Sequence, residues 1–133
     1  MGIDYGKKRV GLAVSDPLSI FASPLDTIPT AKIIEYLKNY ITGQEVEAFI
    51  VGYPRNMDNK PSEAAQYVDI FLKQLAKNIP QVPVILEDER FTSVLAFRSL
   101  IDSGVKKTDR RDKSAVDKVS AALILQTYLD RKK

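Results

Sequence analysis

The sequence predicts an α/β fold built on a mixed five-stranded sheet with helices on both faces. Short apolar segments typical of strands alternate with longer segments in which apolar residues recur at helical spacing. The first two strand-like segments are so close together that an antiparallel hairpin is favoured. The later strands are separated by helices, which favours parallel neighbours joined by right-handed crossovers.

The chain opens with a predicted meander of three strands. The first two cover residues 1–5 and 9–15, and Gly6-Lys7-Lys8 forms the turn between them. A third strand lies within 20–28, where Pro24 predicts an edge position or a bulge because proline cannot donate to a central ladder.

Helices and strands then alternate to the end of the chain. They are a helix opened by Pro29-Thr30 and ended by Gly43, a strand over 47–52, a long helix starting at Pro61, a strand over 82–86, a helix from Thr92 to about Ser103, and a last helix opened by Ser114. The predicted order is β-β-β-α-β-α-β-α-α, which matches the ribonuclease H-like fold. We expect one domain over 1–133, because no linker or repeat divides the chain.

Composition excludes several kinds of chemistry. The 133 residues include no Cys and no His, which removes disulfides, thiolate metal sites, thiol nucleophiles and imidazole bases. Acid–base or metal chemistry must therefore use Asp, Glu, Lys, Tyr or water, and carboxylates favour hard cations. The net charge of +3 permits nucleic-acid binding without requiring it.

The sequence also predicts a cytoplasmic location. No apolar run approaches the roughly 20 residues that a membrane-spanning helix needs. The first residues, Met1-Gly2-Ile3-Asp4, lack the charged leader, apolar stretch and cleavage site of a signal peptide.

Asp4 is the first candidate functional residue. Strand alternation places its side chain opposite Ile3 and Tyr5, and the neighbouring Gly2 and Gly6 leave the backbone open to a ligand. An exposed edge strand would also explain an aspartate here. The functional interpretation is favoured, because a first strand that precedes a hairpin usually becomes central in an α/β sheet.

A second acidic group, Glu87-Asp88-Glu89-Arg90, follows the last apolar strand. Open α/β sheets bind ligands at the carboxyl ends of their strands, although an acidic loop before a helix is the commoner explanation of such a run. Alternation puts Glu87 and Glu89 on one face and Asp88 on the other. Spacing alone does not select among the three acids.

Asp117 has two interpretations. Ser114-x-x-Asp117 fits a capping box, and the local pattern alone favours this interpretation. However, Asp117, Ala121 and Ile124 share one stripe of a helix that otherwise looks buried. Small residues on that stripe would let the helix approach the sheet and bring the carboxylate to a common site. Three acids from different elements are typical of nucleases that hold two divalent cations.

Two basic segments could contact phosphates. One is Lys7-Lys8-Arg9, and the other spans 106–113 and includes Lys106, Lys107, Arg110 and Arg111. Either segment taken alone is more often a solvated loop. Tyr53 and Phe91 could stack on bases, although packing in the core is the favoured role for both.

Four motifs, in order, carry a resemblance over essentially the whole chain. They are GIDYGKKRVGLAVSD at 2–16, VGYPRNMD at 51–58, DERFTS at 88–93 and VDKVSAALILQ at 116–126. In these motifs the sequence resembles the YqgF family of RuvC-like Holliday-junction resolvases, which is also described as a family of pre-16S rRNA nucleases. Asn59 stands where that family often has Gly, and Asn still tolerates a left-handed turn.

The resemblance implies a ribonuclease H-like nuclease that needs Mg²⁺ or Mn²⁺ and acts on precursor rRNA or branched DNA. It assigns the catalytic and metal-binding roles to Asp4, Glu89 and Asp117, which selects Glu89 over its neighbours and a cation ligand over a cap. Arg90 and the 106–113 segment would hold the phosphate backbone. Ribosomal particles are an expected partner, and the protein would act as a monomer or homodimer.

Two other functions are considered, because the fourth motif lacks an acid that RuvC has and the first motif resembles one from another class of proteins. RuvC carries a fourth acid near the third, whereas the corresponding neighbours here are Val116, Lys118, Val119 and Ser120. The second cation site would then be weaker or differently organised, which leaves open a non-catalytic nucleic-acid-binding or ribosome-assembly factor. The Asp4-x-Gly6 pattern also resembles the phosphate motif of actin-like ATP-binding proteins, but these need two such lobes.

Overall fold

The computed structural model describes residues 1–54, 62–88 and 113–132, with side chains in the last range from Asp117 onward. Its strands are β1 (Gly2–Tyr5), β2 (Arg9–Ser15), β3 (Ala22–Pro29), β4 (Phe49–Tyr53) and β5 (Val84–Asp88). Its helices are α1 (Ile33–Gly43), which follows a 3₁₀ turn at Thr30–Lys32, α2 (Ala65–Asn78) and α3 (Lys113–Lys132). The segments 55–61 and 89–112, which include the predicted helix from Thr92, lie outside the described residues.

The strands form one mixed sheet in the order β3-β2-β1-β4-β5. The strand β1 pairs antiparallel with β2 and parallel with β4, and β4 pairs parallel with β5. At the edge, β3 pairs antiparallel with β2, and the register shifts where Ala13 faces Pro24. The predicted sheet is therefore confirmed, and Pro24 lies at both an edge and an irregularity.

Helices cover both faces of this sheet, as predicted. On one face, α1 and α2 pack through Leu37 and Phe71 against Ile3 and Leu12. On the other face, α3 packs against β2 and β4 through a core rich in small residues. The two cores follow strand alternation, because Ile3 and Leu12 are buried on one side while their neighbours face α3.

Helix α2 starts later than the sequence predicts. The predicted start is Pro61, but the helix begins at Ala65. Three consecutive amides, from Ala65 to Tyr67, donate to carbonyls three residues earlier. This tighter hydrogen bonding is typical of the 3₁₀ turn that often opens a helix.

Gln126 connects α3 to the loop between β2 and β3. Its fully buried side chain accepts a hydrogen bond from the Ala22 amide at 2.8 Å and donates one to the Ile20 carbonyl at 2.9 Å. A third hydrogen bond reaches the Asp130 carboxylate at 3.0 Å. The side-chain amide therefore supplies a partner to the buried Ala22 amide and also joins α3 to the exposed Ile20.

We expect Gln126→Leu to lower the free energy of unfolding by about 1–3 kcal/mol, because the Ala22 amide loses its buried partner. Urea denaturation measures this change. The matched control is Gln74→Leu on the exposed side of α2, which should stay within about 0.5 kcal/mol of the parent. Equal losses in the two variants would contradict the structural role of Gln126.

Candidate active site

Asp4 lies on β1, the middle strand of the five described. It pairs with Gly11 of β2, and its partly exposed side chain is on the face covered by α3. Ile3 faces the opposite core, where it is fully buried. The central position predicted for Asp4 is therefore confirmed, and the edge-strand explanation is wrong.

Two glycines allow α3 to approach β1 and β2 closely. A Cβ atom on Gly2 would come within 2.6 Å of the Ala121 carbonyl oxygen and 2.7 Å of the Leu125 Cβ. A Cβ atom on Gly11 would collide with the carbonyl group of Asp117. Asp4 and Gly11 are directly paired across the two strands. The Asp4 Cβ therefore lies about 4.5–5.5 Å from the position that a Cβ on Gly11 would take. The backbone that carries Asp117 is therefore next to Asp4.

Asp117 forms an ion pair with Arg9, at the start of β2. The Arg9 Nε lies 2.6 Å from the Asp117 Oδ2, and the two side chains are 44% and 24% exposed. Helix α3 begins at Lys113, so Ser114 is inside the helix and Asp117 lies beyond its first turn. The capping-box interpretation is therefore wrong, whereas the predicted close packing through Ala121 is confirmed.

Glu87 is paired with an arginine of α3. Its carboxylate is only 3% exposed, and it accepts a hydrogen bond from Arg131 Nη1 at 3.0 Å. Its other oxygen lies 2.7 Å from Nη2 in an ion pair without good hydrogen-bond geometry. Burial raises the pKa of Glu87, and the nearby Arg131 offsets part of that rise. Glu87 therefore has a structural role on the face of the sheet that Asp4 shares.

The raised pKa of Glu87 predicts a pH dependence of stability. The folded protein holds the Glu87 proton more tightly than the unfolded chain does, so this group's contribution to stability falls as the pH rises above its ordinary pKa of 4.5. We expect Glu87→Gln to gain free energy of unfolding relative to the parent between pH 4 and pH 7. Denaturation at both pH values measures the gain, with Glu35→Gln on the exposed side of α1 as control. A parent–variant difference that does not change with pH would contradict this assignment.

The remaining predicted site residues divide into described and undescribed groups. Lys7 and Lys8 are exposed at the β1–β2 turn, as a phosphate contact requires, whereas the exposed Arg9 begins β2 and is paired with Asp117. The strand β5 ends at Asp88. Outside the described residues are Glu89, Arg90, Lys106, Lys107, Arg110, Arg111 and Phe91.

Two tyrosines differ in their surroundings: Tyr53 lies in the core, as predicted, and Tyr67 is exposed beside Lys7. Tyr53 is 7% exposed and donates a hydrogen bond to Asp69, so its predicted core role is confirmed. Tyr67 is 40% exposed on α2, and the Lys7 Nζ lies 4.5 Å from its ring centroid. Tyr67 is not among the residues predicted to be functional. Its position off the apolar stripe of Ala65, Val68 and Phe71 is the signal that could have identified it.

The described part of the chain holds two of the three predicted cation ligands. Within it, no group of three acidic side chains comes close enough to bind a metal ion by itself. Asp4 and Asp117 nevertheless supply hard oxygen donors on one face of the sheet, and this donor type suits Mg²⁺ or Mn²⁺. None of the helices described in 1–54, 62–88 and 113–132 is long and apolar enough to cross a membrane.

A five-stranded mixed sheet that carries a carboxylate on its middle strand, with the last helix packed across it, defines a ribonuclease H-like domain. The model of the RuvX family, described as Holliday junction resolvase, matches residues 1–131. The chain belongs to this family, which confirms the resemblance found in the four motifs.

Relatives from several bacteria are similar over nearly their whole length. A protein of Phocaeicola vulgatus is 48% identical over 133 residues, which cover 100% of this chain and 96% of the relative. A protein of Bacteroides fragilis is 45% identical with the same coverage. A protein of Porphyromonas gingivalis is 46% identical over 130 residues, 98% of this chain and 94% of its own. Each carries the name "Putative pre-16S rRNA nuclease".

Proposed function

We propose that this chain is a Mg²⁺- or Mn²⁺-dependent nuclease that hydrolyses phosphodiester bonds in structured nucleic acid, with precursor 16S rRNA as its substrate. The observation that carries the proposal is the position of Asp4 beside the α3 backbone of Asp117, over Gly11. Membership of the RuvX family and the names of the relatives support the nuclease class and the rRNA substrate.

Asp4, Glu89 and Asp117 would hold the cation. When bound, a divalent cation supplies Lewis acidity that activates water and neutralises charge on the leaving oxygen. Asp4 is held on the middle strand, and Arg9 orients Asp117 through its Oδ2. Since the chain has no His, proton transfer would use Asp, Glu, Lys, Tyr or water.

The burial of Glu87 supports Glu89 as the third ligand, because the Glu87 side chain is 3% exposed beside Arg131, whereas the ion-paired Asp117 is still 24% exposed. Glu87 is the acid of β5 that Arg131 neutralises. The motif that contains Glu89 belongs to the family resemblance, so we assign the cation to Glu89 and the ion pair to Glu87. Phosphate contacts are assigned to Arg90 and to Lys106, Lys107, Arg110 and Arg111, together with the exposed Lys7 and Lys8.

Cleavage of two substrates side by side tests the proposal. A precursor 16S rRNA with its 5′ extension and a four-way DNA junction are each incubated with the protein in Mn²⁺, in Mg²⁺ and in EDTA, and the product ends are mapped. We expect cation-dependent cuts in the precursor rRNA at the 5′ side. Cuts confined to the junction would show that branched DNA, and not precursor rRNA, is the substrate. Binding without any cut would favour the non-catalytic assembly factor.

The protein and precursor particles also allow the oligomeric state and the association with ribosomes to be tested. We propose one domain over 1–133 that acts as a monomer or homodimer on ribosomal particles in the cytoplasm, where precursor rRNA is processed. Sedimentation at the concentrations of the cleavage assay measures the oligomeric state. Co-sedimentation with precursor-containing particles measures the association with ribosomal subunits.

A further inference from the structure

A concave site lies at the turn after β1, on the face opposite Asp4. Its volume is about 380 Å³, and its described walls come from the end of β1, the β1–β2 turn and the start of α2. Tyr5 forms one wall and is stacked on Phe71 of α2 with a centroid distance of 4.4 Å. This stacking fixes the position of the wall, because Phe71 is fully buried.

The chemistry of the walls combines an aromatic face with charged and amide groups. Tyr67 exposes 40% of its surface, whereas Tyr53 and Phe71 are buried. The Lys7 ammonium lies over the Tyr67 ring at 4.5 Å from the centroid. Glu63 and Gln66 line the same cavity and supply a carboxylate and an amide.

We propose that this cavity binds an unpaired nucleotide of the substrate strand, with its base stacked on Tyr67. The proposal rests on the nuclease function above. An exposed cation–π contact is weaker than base–aromatic stacking, so a base can displace Lys7 from the ring. Lys7 is then free to bind the phosphate of the same nucleotide. Glu63 repels a bare phosphate but accepts hydrogen bonds from base amino and imino groups, so the cavity selects a nucleotide over an inorganic anion.

The cavity is close enough to the candidate active site for one strand to reach both. Lys7 follows Asp4 by three residues, so their Cα atoms are at most about 11 Å apart. Asp4 is on the α3 face of β1 and the cavity is on the α2 face, so the strand would pass the carboxyl end of β1. A nucleotide held by Tyr67 would thereby fix which phosphate reaches Asp4.

A single-stranded RNA heptamer with one 2-aminopurine tests this binding site in EDTA, without cleavage. Stacking on tyrosine quenches the fluorescence of this base, so we expect quenching with the parent and with Tyr67→Phe. Tyr67→Leu should abolish the quenching and weaken binding by about 5- to 150-fold, the range measured for base–aromatic stacking. Lys7→Gln should lower the slope of log affinity against log salt by about 0.7, as expected for one phosphate contact on a single strand.

Two control variants make the same kinds of change as Tyr67→Leu and Lys7→Gln, but away from the cavity. Phe21→Leu removes an aromatic ring that is 43% exposed in the β2–β3 loop. Lys77→Gln removes an exposed charge on α2, ten residues and about 15 Å along the helix from Tyr67. Both controls should retain the quenching and the affinity of the parent.

The outcomes separate this inference from the nuclease proposal. Absence of quenching with the parent, or equal quenching and affinity with Tyr67→Leu, overturns the nucleotide site even where the parent cleaves precursor rRNA. Quenching that depends on Tyr67 supports the site even where the parent cuts neither substrate. In that second case the nuclease proposal fails and the nucleotide-binding site stands.

Discussion

Asp4→Asn is expected to reduce cation-dependent cleavage by at least about 100-fold, the size typical of losing one preorganised electrostatic group. The asparagine is nearly isosteric but lacks the charge that would hold a divalent cation beside Asp117. Since Asp4 is partly exposed on β1, the free energy of unfolding should change by less than about 1 kcal/mol. Single-turnover cleavage and urea denaturation measure the two effects.

Asp26→Asn is the matched control for Asp4→Asn. Asp26 is an exposed aspartate on the edge strand β3, two strands away from Asp4. We expect this variant to cleave at the rate of the parent. If Asp4→Asn also cleaves at that rate, the assignment of Asp4 to the cation site is wrong.

Gly11→Ala should have the second large effect. The added methyl group would collide with the carbonyl of Asp117, and a helix backbone cannot move aside as a flexible side chain can. Overpacking of this kind costs about 1–3 kcal/mol of stability. Cleavage by the folded fraction should also fall, because a displaced α3 moves Asp117 away from Asp4.

Gly43→Ala provides the control for a glycine without such a neighbour. Gly43 ends α1, and apart from its chain neighbours and the backbone of its own helix no described atom lies within 4 Å of the added Cβ. This change should be neutral or should stabilise the protein by up to about 1 kcal/mol, since alanine favours the helix. A Gly11→Ala variant as stable as Gly43→Ala would contradict the close packing of α3 on β2.

Local patterns in the sequence predict the strands and the central position of Asp4. Alternation and turn residues identify β1 and β2 within a residue, and Pro24 indicates the edge strand because its missing amide cannot serve a central ladder. Pro61 predicts a start of α2 four residues before Ala65, where the helix begins. Helix periodicity locates the apolar stripe well but does not show where the opening 3₁₀ turn becomes an α-helix.

Contacts between distant residues could not be predicted from local patterns. The Arg9–Asp117 ion pair joins residues 108 positions apart, so the spacing around Ser114 wrongly favoured a cap. The pairing of Glu87 with Arg131 likewise depends on how α3 crosses the sheet. Burial beside Arg131 therefore distinguishes Glu87 from its neighbours, which spacing alone leaves equivalent.

Binding of Mn²⁺ at Asp4 and Asp117 is the central claim, and paramagnetic broadening of amide NMR signals tests it most directly. Substoichiometric Mn²⁺ is added to ¹⁵N-labelled protein, and the loss of each amide signal is followed. We predict that the Asp4, Gly11 and Asp117 amides broaden first and that Asp4→Asn removes this broadening. Broadening centred on other carboxylates, such as Asp26 or Asp130, or an unchanged pattern in Asp4→Asn, would contradict the account.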